Sequence, residues 1–183
     1  MTKQQENYQG PGMRDQRFGI EIELTGLSRK KAADIIGRYM MKTPIYEGGA
    51  YYSYKIPDGQ GRHWQVVYDG SITAECKSGP ASDEYKVEVV SPICRYLDIP
   101  DIQEIVRQLR HGGAMANKSC GIHIHVDASP HNARTLRNIT NIMASKEDLI
   151  YKALQVEVAR KNQYCKPVDT SFLEQINHEK PKN

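Results

Sequence analysis

RFGIEIEL, residues 17–24, alternates apolar and polar side chains as expected for one strand. Because successive side chains on a strand point to opposite faces, the apolar residues share one face while Glu21 and Glu23 share the other. Residues two apart on a strand lie roughly 7 Å apart, so the two carboxylates repel each other unless water or a cation lies between them. The exposed face of a half-buried antiparallel sheet is the simpler explanation for such a pair. The pattern becomes informative if other strands carry similar side chains on the same face.

The composition of the chain excludes several classes of protein. With 183 residues it is long enough to bury one core, and its formal charge of +3 gives no support to nucleic-acid or membrane binding. No apolar run approaches the roughly 20 residues of a membrane span, and the N-terminus lacks the apolar segment of a signal peptide. The four cysteines form no CxxC pair, which argues against a zinc ribbon or a disulfide framework. We therefore expect a cytoplasmic protein with reduced thiols that binds neither nucleic acid nor membranes.

Two later segments resemble the first strand in their pattern. In HWQVVYDGSI, residues 63–72, Asp69 lies on the polar face, although Asp-Gly-Ser is also a common turn sequence. In YKVEVVSP, residues 85–92, Glu88 lies opposite the apolar face, although an exposed neighbour of Lys86 would look the same. Each of these carboxylates is weak evidence by itself.

CGIHIHVDA, residues 120–128, carries two imidazoles on one face. Its isoleucines and its valine are expected to face the core, so His123, His125 and Asp127 share the other face. Two histidines two positions apart on a strand converge on one point, as metal ligands and phosphate-binding groups do. A pair of solvent-exposed histidines is the alternative explanation.

Helical periodicity and irregular segments separate these strands. Ser28 is placed to cap a first helix, Asp101 begins a capping box for a second, and Ser129 with the proline after it predicts a third. A further helical stretch covers about residues 146–161. Residues 43–62 are rich in Gly, Pro and Tyr, which indicates either a binding loop or a hairpin that covers a sheet edge.

Taken together, the four strands predict an α+β fold with a mainly antiparallel or mixed sheet. Helices would cover its apolar face and leave a concave face of Glu, Asp and His. Carboxylate ligands suit Mg²⁺ or Mn²⁺, which keep open positions for phosphate and water. Such a site fits an enzyme that uses a nucleotide, since cations bridge the phosphates and neutralise charge during transfer.

The motifs RFGIEIEL, WQVVYDGS, KVEVVSP, SCGIHIHVDAS and RKNQYCKP, in this order, resemble the amidoligase family. This family is a branch of the carboxylate-amine ligase superfamily, which includes glutamine synthetase and glutamate-cysteine ligase. The resemblance covers about Arg17 to Pro167 and implies a concave funnel of antiparallel strands with helices packed on its outer face. It also implies that ATP phosphorylates a carboxylate at a site with several Mg²⁺ ions. An amine would then displace the phosphate and leave an amide or peptide-like bond.

The resemblance further implies a set of metal ligands drawn from all four strands. They are Glu21, Glu23, Asp69, Glu88 and His123. Of these, Glu21 and His123 would bind the cation that bridges the nucleotide phosphates, and the other three would hold the cation nearer the acyl phosphate. His125 would contact a phosphate and Arg160 would neutralise a phosphate or a substrate carboxylate, which gives both residues catalytic and nucleotide-binding roles.

One strand of the family pattern is not recognisable in this sequence. Related ligases have a further strand with a glutamate and an arginine, and no such strand is recognisable before Asn183. We therefore expect a flexible arm over residues 1–16, a catalytic domain over residues 17–167 and a tail over residues 168–183. The domain is expected to be truncated at its C-terminus or completed by another polypeptide. Its substrates would be a carboxylate and an amine, such as amino acids or peptides, and an oligomer is compatible with this.

Two functions of other classes remain open. A zinc-dependent hydrolase would use His123, His125 and a carboxylate as ligands, with water in the fourth position. A non-catalytic module on the same fold would hold a peptide with the tyrosine-rich segment 43–62. A Cys120 nucleophile is disfavoured, because Cys120 lies on the opposite face from His123.

Overall fold

The computed structural model describes residues 12–180 of the chain. These residues fall into two compact units, residues 12–127 and residues 128–180. The first unit contains the sheet with the predicted polar face, and the second is helical. Residues 1–11, which form most of the predicted flexible arm, lie outside the described part.

The first unit is built on an antiparallel sheet. The strands are β1 (Phe18–Leu24), β2 (Ile45–Gly48), β3 (Ser53–Pro57), β4 (His63–Val67), β5 (Glu75–Cys76), β6 (Gly79–Pro80), β7 (Val87–Val90) and β8 (Ile122–Val126). Six of them form one sheet in the order β2-β3-β4-β7-β1-β8, while β5 pairs with β6. Every pairing in the larger sheet is antiparallel. The segment 43–62 therefore contributes a hairpin at one sheet edge, which is one of its two predicted forms.

The helices are divided between the two units. They are α1 (Arg29–Met40), α2 (Ile99–His111), α3 (Ala133–Ala153), α4 (Val158–Gln163) and α5 (Thr170–Glu179). The first two belong to the sheet unit and the last three to the helical unit. The α+β class and the mainly antiparallel sheet are thus confirmed, whereas the glutamine synthetase-like funnel stays a prediction.

The core of the first unit lies between α1, α2 and one face of the sheet. On that face Trp64, Val66, Val87 and Val89 are at most 2% exposed. They cluster with apolar residues of both helices. The helix residues in this cluster are Ala32, Ala33, Ile35, Ile36, Ile102, Ile105 and Leu109. Burial of this apolar surface is the main stabilising contribution to the unit and fixes which face stays open to solvent.

Strand β8 departs from expectation. Its apolar side chains share the face of the core, because Ile124 lies opposite Ile20 and Ile122 lies opposite Ile22 in the register. They are nevertheless exposed, at 62% for Ile122 and 66% for Ile124. The strand lies at the end of the strand order, and the core cluster of the described residues does not include it. The predicted face was therefore right and the predicted burial was wrong.

The first two helices differ in how well their starts were predicted. Ser28 caps α1, and its hydroxyl accepts a hydrogen bond from a backbone N–H of the first turn. Helix α2 begins at Ile99 with Asp98 as its N-cap residue, so Asp101 lies inside the first turn. There Asp101 accepts a hydrogen bond from the hydroxyl of Tyr39 on α1 at 2.6 Å. Its role is to join two helices, and the predicted capping role was wrong.

A charged network connects the β3–β4 turn to the start of α2. The guanidinium of Arg62 donates to Asp58 at 2.7 Å and to both carboxylate oxygens of Asp98 at 2.9 and 3.1 Å. The side chains of Asp58 and Asp98 are only 4% and 12% exposed. Because one guanidinium bridges two buried carboxylates, Arg62 holds the turn and the helix together.

The second unit is held by helix contacts and side-chain hydrogen bonds. The amides of Asn141 on α3 and Asn177 on α5 bond each other reciprocally at 3.0 and 2.9 Å. The predicted continuous helix over residues 146–161 is interrupted, because α3 ends at Ala153 and Gln155 has a left-handed φ of 53°. Within residues 12–180, no helix combines the length and the apolar composition needed to cross a membrane. The four cysteines, all inside this range, are free thiols, as predicted.

Candidate functional site

The predicted polar side chains of β1, β7 and β8 meet in register on the open face of the sheet. Glu21 lies opposite His123 on β8, and Glu23 lies opposite Glu88 on β7. Directly opposite residues of an antiparallel pair share a face, with Cβ atoms roughly 4.5–5.5 Å apart. The register therefore places four side chains from three strands in one patch.

Ligand atoms in this patch form two groups, each compact enough to hold a cation. Glu21, Glu88 and His123 each offer one atom within 4.8 Å of the others. Glu23, Asp69 and Glu88 do the same. Glu88 belongs to both groups and thus lies between two candidate cation positions. The structure brings all five predicted ligands together, and their binding of metal stays a prediction.

The two imidazoles hold the carboxylate of Glu21 from both sides. His123 Nδ1 lies 3.0 Å from Glu21 Oε2, and His125 Nε2 lies 3.1 Å from Glu21 Oε1. The side chains of His123 and His125 are half-exposed, whereas that of Glu21 is 28% exposed. His125 belongs to neither ligand group. It therefore orients Glu21 and leaves its imidazole facing solvent, and its predicted contact with a phosphate stays a prediction.

A backbone donor positions Glu23, the most buried carboxylate of the patch. The residue is 7% exposed, and its Oε2 accepts a hydrogen bond from the N–H of Gly121 at 2.6 Å. Its other oxygen lies 3.9 Å from Nε2 of His123. Sequence analysis indicated that Gly121 is needed here because a side chain would point into the site, but it did not predict this hydrogen bond, because a backbone N–H has no residue type that a pattern could reveal.

Asp69 forms a turn and also lies in the second ligand group. Its Oδ1 accepts a hydrogen bond from the N–H of Ser71 at 2.7 Å, which is the geometry of a turn-forming aspartate. It also contributes an oxygen to the second ligand group. The turn after β4 therefore fixes the carboxylate beside Glu88.

The environment shifts the pKa values of Glu21 and Glu88 in opposite directions. Burial tends to raise the pKa of Glu21, but hydrogen bonds and charge from His123 and His125 outweigh it and lower the pKa. Burial raises the pKa of Glu88 to about 7, with further contributions from the charges of Glu21, Asp69 and Glu23. Near neutral pH Glu88 is therefore protonated in about half of the molecules, and a bound cation would displace this proton.

The charge balance of the patch fits a divalent cation. Four carboxylates converge, and within residues 12–180 neither a lysine nor an arginine forms an ion pair with any of them. Imidazole is their cationic partner when it is protonated. Carboxylate oxygens suit Mg²⁺ or Mn²⁺, and the raised pKa of Glu88 follows from its burial and from the charges of the neighbouring carboxylates.

Arg160 belongs to the helical unit. It lies on α4, with its guanidinium carbon 5.0 Å from the ring centre of Tyr164. Its predicted contact with a phosphate or a substrate carboxylate stays a prediction.

Comparison with known proteins agrees with the motifs. A family model described as "Putative amidoligase enzyme" matches residues 14–183. Neither a curated protein nor a solved structure matches the chain. The matched range contains the whole sheet and the acidic patch on its open face. Since the match extends over nearly all of the sequence, the chain belongs to the amidoligase family.

Proposed function

We propose that the chain is an ATP-dependent ligase that joins a carboxylate to an amine through an acyl phosphate at a site for Mg²⁺ or Mn²⁺. The observation that carries this proposal is the pair of ligand groups that share Glu88 on the open face of the sheet. Two cation positions beside each other suit a reaction in which a phosphoryl group moves between two oxygens. The family match supports the class of reaction.

The proposed reaction has two steps. A carboxylate oxygen of the substrate attacks the γ-phosphorus of ATP, and ADP leaves. The amine nitrogen then attacks the acyl carbon, the C–O bond to phosphate breaks, and the amide forms as inorganic phosphate and a proton leave. Bound cations would supply neutralisation of the phosphate charge during transfer.

The residues of the patch would divide this work. Glu21 and His123 would hold one cation, and Glu23 with Asp69 the other, with Glu88 contributing to both. Glu21 is already held in place by the imidazoles and Glu23 by a backbone N–H, so little reorganisation would be needed when a cation binds.

His125 and Arg160 would act on the anionic groups of the reactants. His125 would contact a phosphate oxygen, since its imidazole is 65% exposed beside Glu21. Arg160 would neutralise a phosphate or the substrate carboxylate.

The direct test is formation of a hydroxamate. The full-length protein is incubated with Mg-ATP, hydroxylamine and a panel of carboxylates, and hydroxamate and ADP are measured. Glu23→Gln removes the best-positioned carboxylate of the second ligand group at nearly unchanged volume, so activity should fall to background. Glu84→Gln is the matched control, because Glu84 is an exposed glutamate on a short 3₁₀ helix outside both groups.

Three results would contradict the proposal. One is hydroxamate formation by Glu23→Gln at the wild-type rate. Another is ATP-independent hydrolysis by a protein that retains one equivalent of zinc after purification, which would indicate the hydrolase instead. The third is binding of peptides without any binding of nucleotide at saturating Mg²⁺, which would indicate a non-catalytic module.

A further inference from the structure

A cavity of about 430 Å³ adjoins the acidic patch within the first unit. It extends along β1 from Glu21 to Arg17 and is bordered by His125 on β8. On its other side lie Val90, at the end of β7, and Ile93 in the segment that follows. The cavity thus begins at a candidate cation ligand and has an apolar side wall.

Gly19 is one of the residues that line this cavity. It shares a face of β1 with Glu21, because alternate residues of a strand share a face. A Cβ atom built on Gly19 would have as its nearest neighbour the Cβ of His125, at 4.0 Å. Gly19 is not among the glycines with positive φ, so its backbone conformation suits any residue. The missing side chain keeps space open without serving the fold.

The far end of the cavity is polar. The guanidinium of Arg17 forms an ion pair with Asp127 at 2.5 Å, and Nε of Arg17 donates to the same oxygen at 2.7 Å. Arg17 directly precedes β1 and lies four residues before Glu21, which corresponds to roughly 13 Å of extended chain. An occupant would therefore have one end at the ligand groups, an apolar middle and a limited length.

We propose that this cavity binds the aliphatic stem of the carboxylic acid whose carboxylate is activated at the acidic patch. The proposal rests on the proposed ligase function and names the substrate class, an unbranched carboxylic acid. Val90 and Ile93 would contact the stem, and Gly19 would set the width available to it. Gly19 is thus a specificity-determining residue of the site.

The test measures how the rate depends on the length of the acid. Hydroxamate formation is followed with acetate, butanoate and hexanoate for the wild-type protein, Gly19→Ala and Gly19→Val. Burial of one methylene corresponds to about a fourfold gain in affinity, so kcat/KM should rise by about that factor for each added methylene in the wild-type protein. The gain should shrink in Gly19→Ala and vanish in Gly19→Val.

A matched control separates this effect from the general consequences of replacing a glycine. Gly59 lies between β3 and β4, has no atom within 4 Å of a built Cβ and lacks a positive φ. Gly59→Ala should therefore keep the full dependence on chain length. Thermal melting of each variant shows that it is folded.

A second readout does not require turnover. Ligand-detected NMR measures binding of hexanoate to the Mg²⁺-containing protein in the absence of ATP. If no acid yields hydroxamate but hexanoate binds the wild-type protein and not Gly19→Val, the ligase proposal fails while the cavity assignment stands. The cavity assignment is overturned if Gly19→Val keeps the dependence of kcat/KM on acid length. It is also overturned if Gly19→Val raises KM for ATP and leaves the reaction of hexanoate unchanged, or if hexanoate neither binds to the wild-type protein nor reacts.

Discussion

Glu23 on β1 lies directly opposite Glu88 on β7, in adjacent strands of one antiparallel sheet. Like charges at directly opposite positions destabilise a sheet. The pair is tolerable when one carboxyl holds a proton or when a cation lies between the two. The raised pKa of Glu88 indicates that, without a cation, Glu88 is the carboxyl that takes up a proton. This cross-strand pair therefore connects the pH, the cation and the stability of the unit.

The stability of the cation-free protein should depend on pH through Glu88. The pKa of this carboxyl is about 7 in the folded chain and lies above the ordinary value of 4.5. Its stabilising contribution is therefore complete below about pH 4.5 and is lost as the pH rises through 7. Glu88→Gln stays neutral, so in a chelating buffer its melting temperature should exceed that of the wild-type protein by an amount that grows from pH 5.5 to pH 8.5. Since 1 kcal/mol corresponds to about 2–4 °C at this chain length, the difference should reach several degrees.

Addition of Mg²⁺ is the control for this measurement. It should raise the melting temperature of the wild-type protein more than that of Glu88→Gln and so reduce the difference between them. A difference that does not change with pH in the chelating buffer would contradict the assigned environment of Glu88.

The affinity for a cation should itself depend on pH. A cation at either ligand group must displace the proton of Glu88, so binding of Mn²⁺ should weaken as the pH falls below 7 and level off above it. One displaced proton corresponds to about a tenfold loss per pH unit. Electron paramagnetic resonance of free Mn²⁺ between pH 5.5 and pH 8.5 measures this dependence, and a constant affinity over that range would refute it.

The two histidines of β8 should differ when each is replaced by asparagine. His123 belongs to a ligand group, whereas His125 contacts only the carboxylate of Glu21 among the described residues of that patch. Loss of an outer partner of a metal ligand typically costs about 10–100-fold in affinity or activity. His123→Asn should therefore weaken Mn²⁺ binding more than His125→Asn, whose larger effect should be on KM for ATP. Each variant is the control for the other. If His125→Asn weakened Mn²⁺ binding more than His123→Asn, the roles assigned to the two histidines would have to be exchanged.

Arg62→Met should destabilise the first unit strongly. It leaves the carboxylates of Asp58 and Asp98 buried without their shared guanidinium, and breaking a buried ion pair typically costs about 3–5 kcal/mol. Urea denaturation measures the loss. Arg110→Met, at an exposed position near the end of α2, should change the free energy of unfolding by no more than about 0.5 kcal/mol. Equal effects of the two substitutions would show that the network contributes little.

The periodicity of the sequence predicted the sheet face of each side chain better than it predicted the residue opposite it on the next strand. Alternation placed Glu21, Glu23, Glu88 and His123 on the polar sides of their strands, because the direction of a side chain depends on the local backbone alone. The register that brings Glu23 opposite Glu88 depends on how separate strands pair, which no local pattern records. Sequence analysis could therefore propose that these carboxylates meet, but it could not give the pairs.

Helix starts were predicted less well where several capping residues compete. Ser129 was the predicted start of α3, yet Asn132 caps it, accepting from the N–H of Thr135, whose hydroxyl in turn accepts from the N–H of Asn132. Both Ser and Asn are good N-cap residues, so the choice depends on which side chain finds a reciprocal partner three residues later. Helix α2 begins differently, because its N-cap residue Asp98 makes no side-chain capping bond and its carboxylate accepts from Arg62 and from the N–H of Arg95.

Both imidazoles are carried by a strand that, among the described residues, pairs with β1 alone. Opening a terminal strand costs less free energy than opening the strands inside the sheet whose side chains form the core with α1 and α2. Warming should therefore dismantle the site while Trp64, which is 2% exposed and the single tryptophan of the chain, still fluoresces from an intact interior. Heat inactivation of this protein would then precede its melting, and an optical stability assay would overestimate the temperature at which it still works.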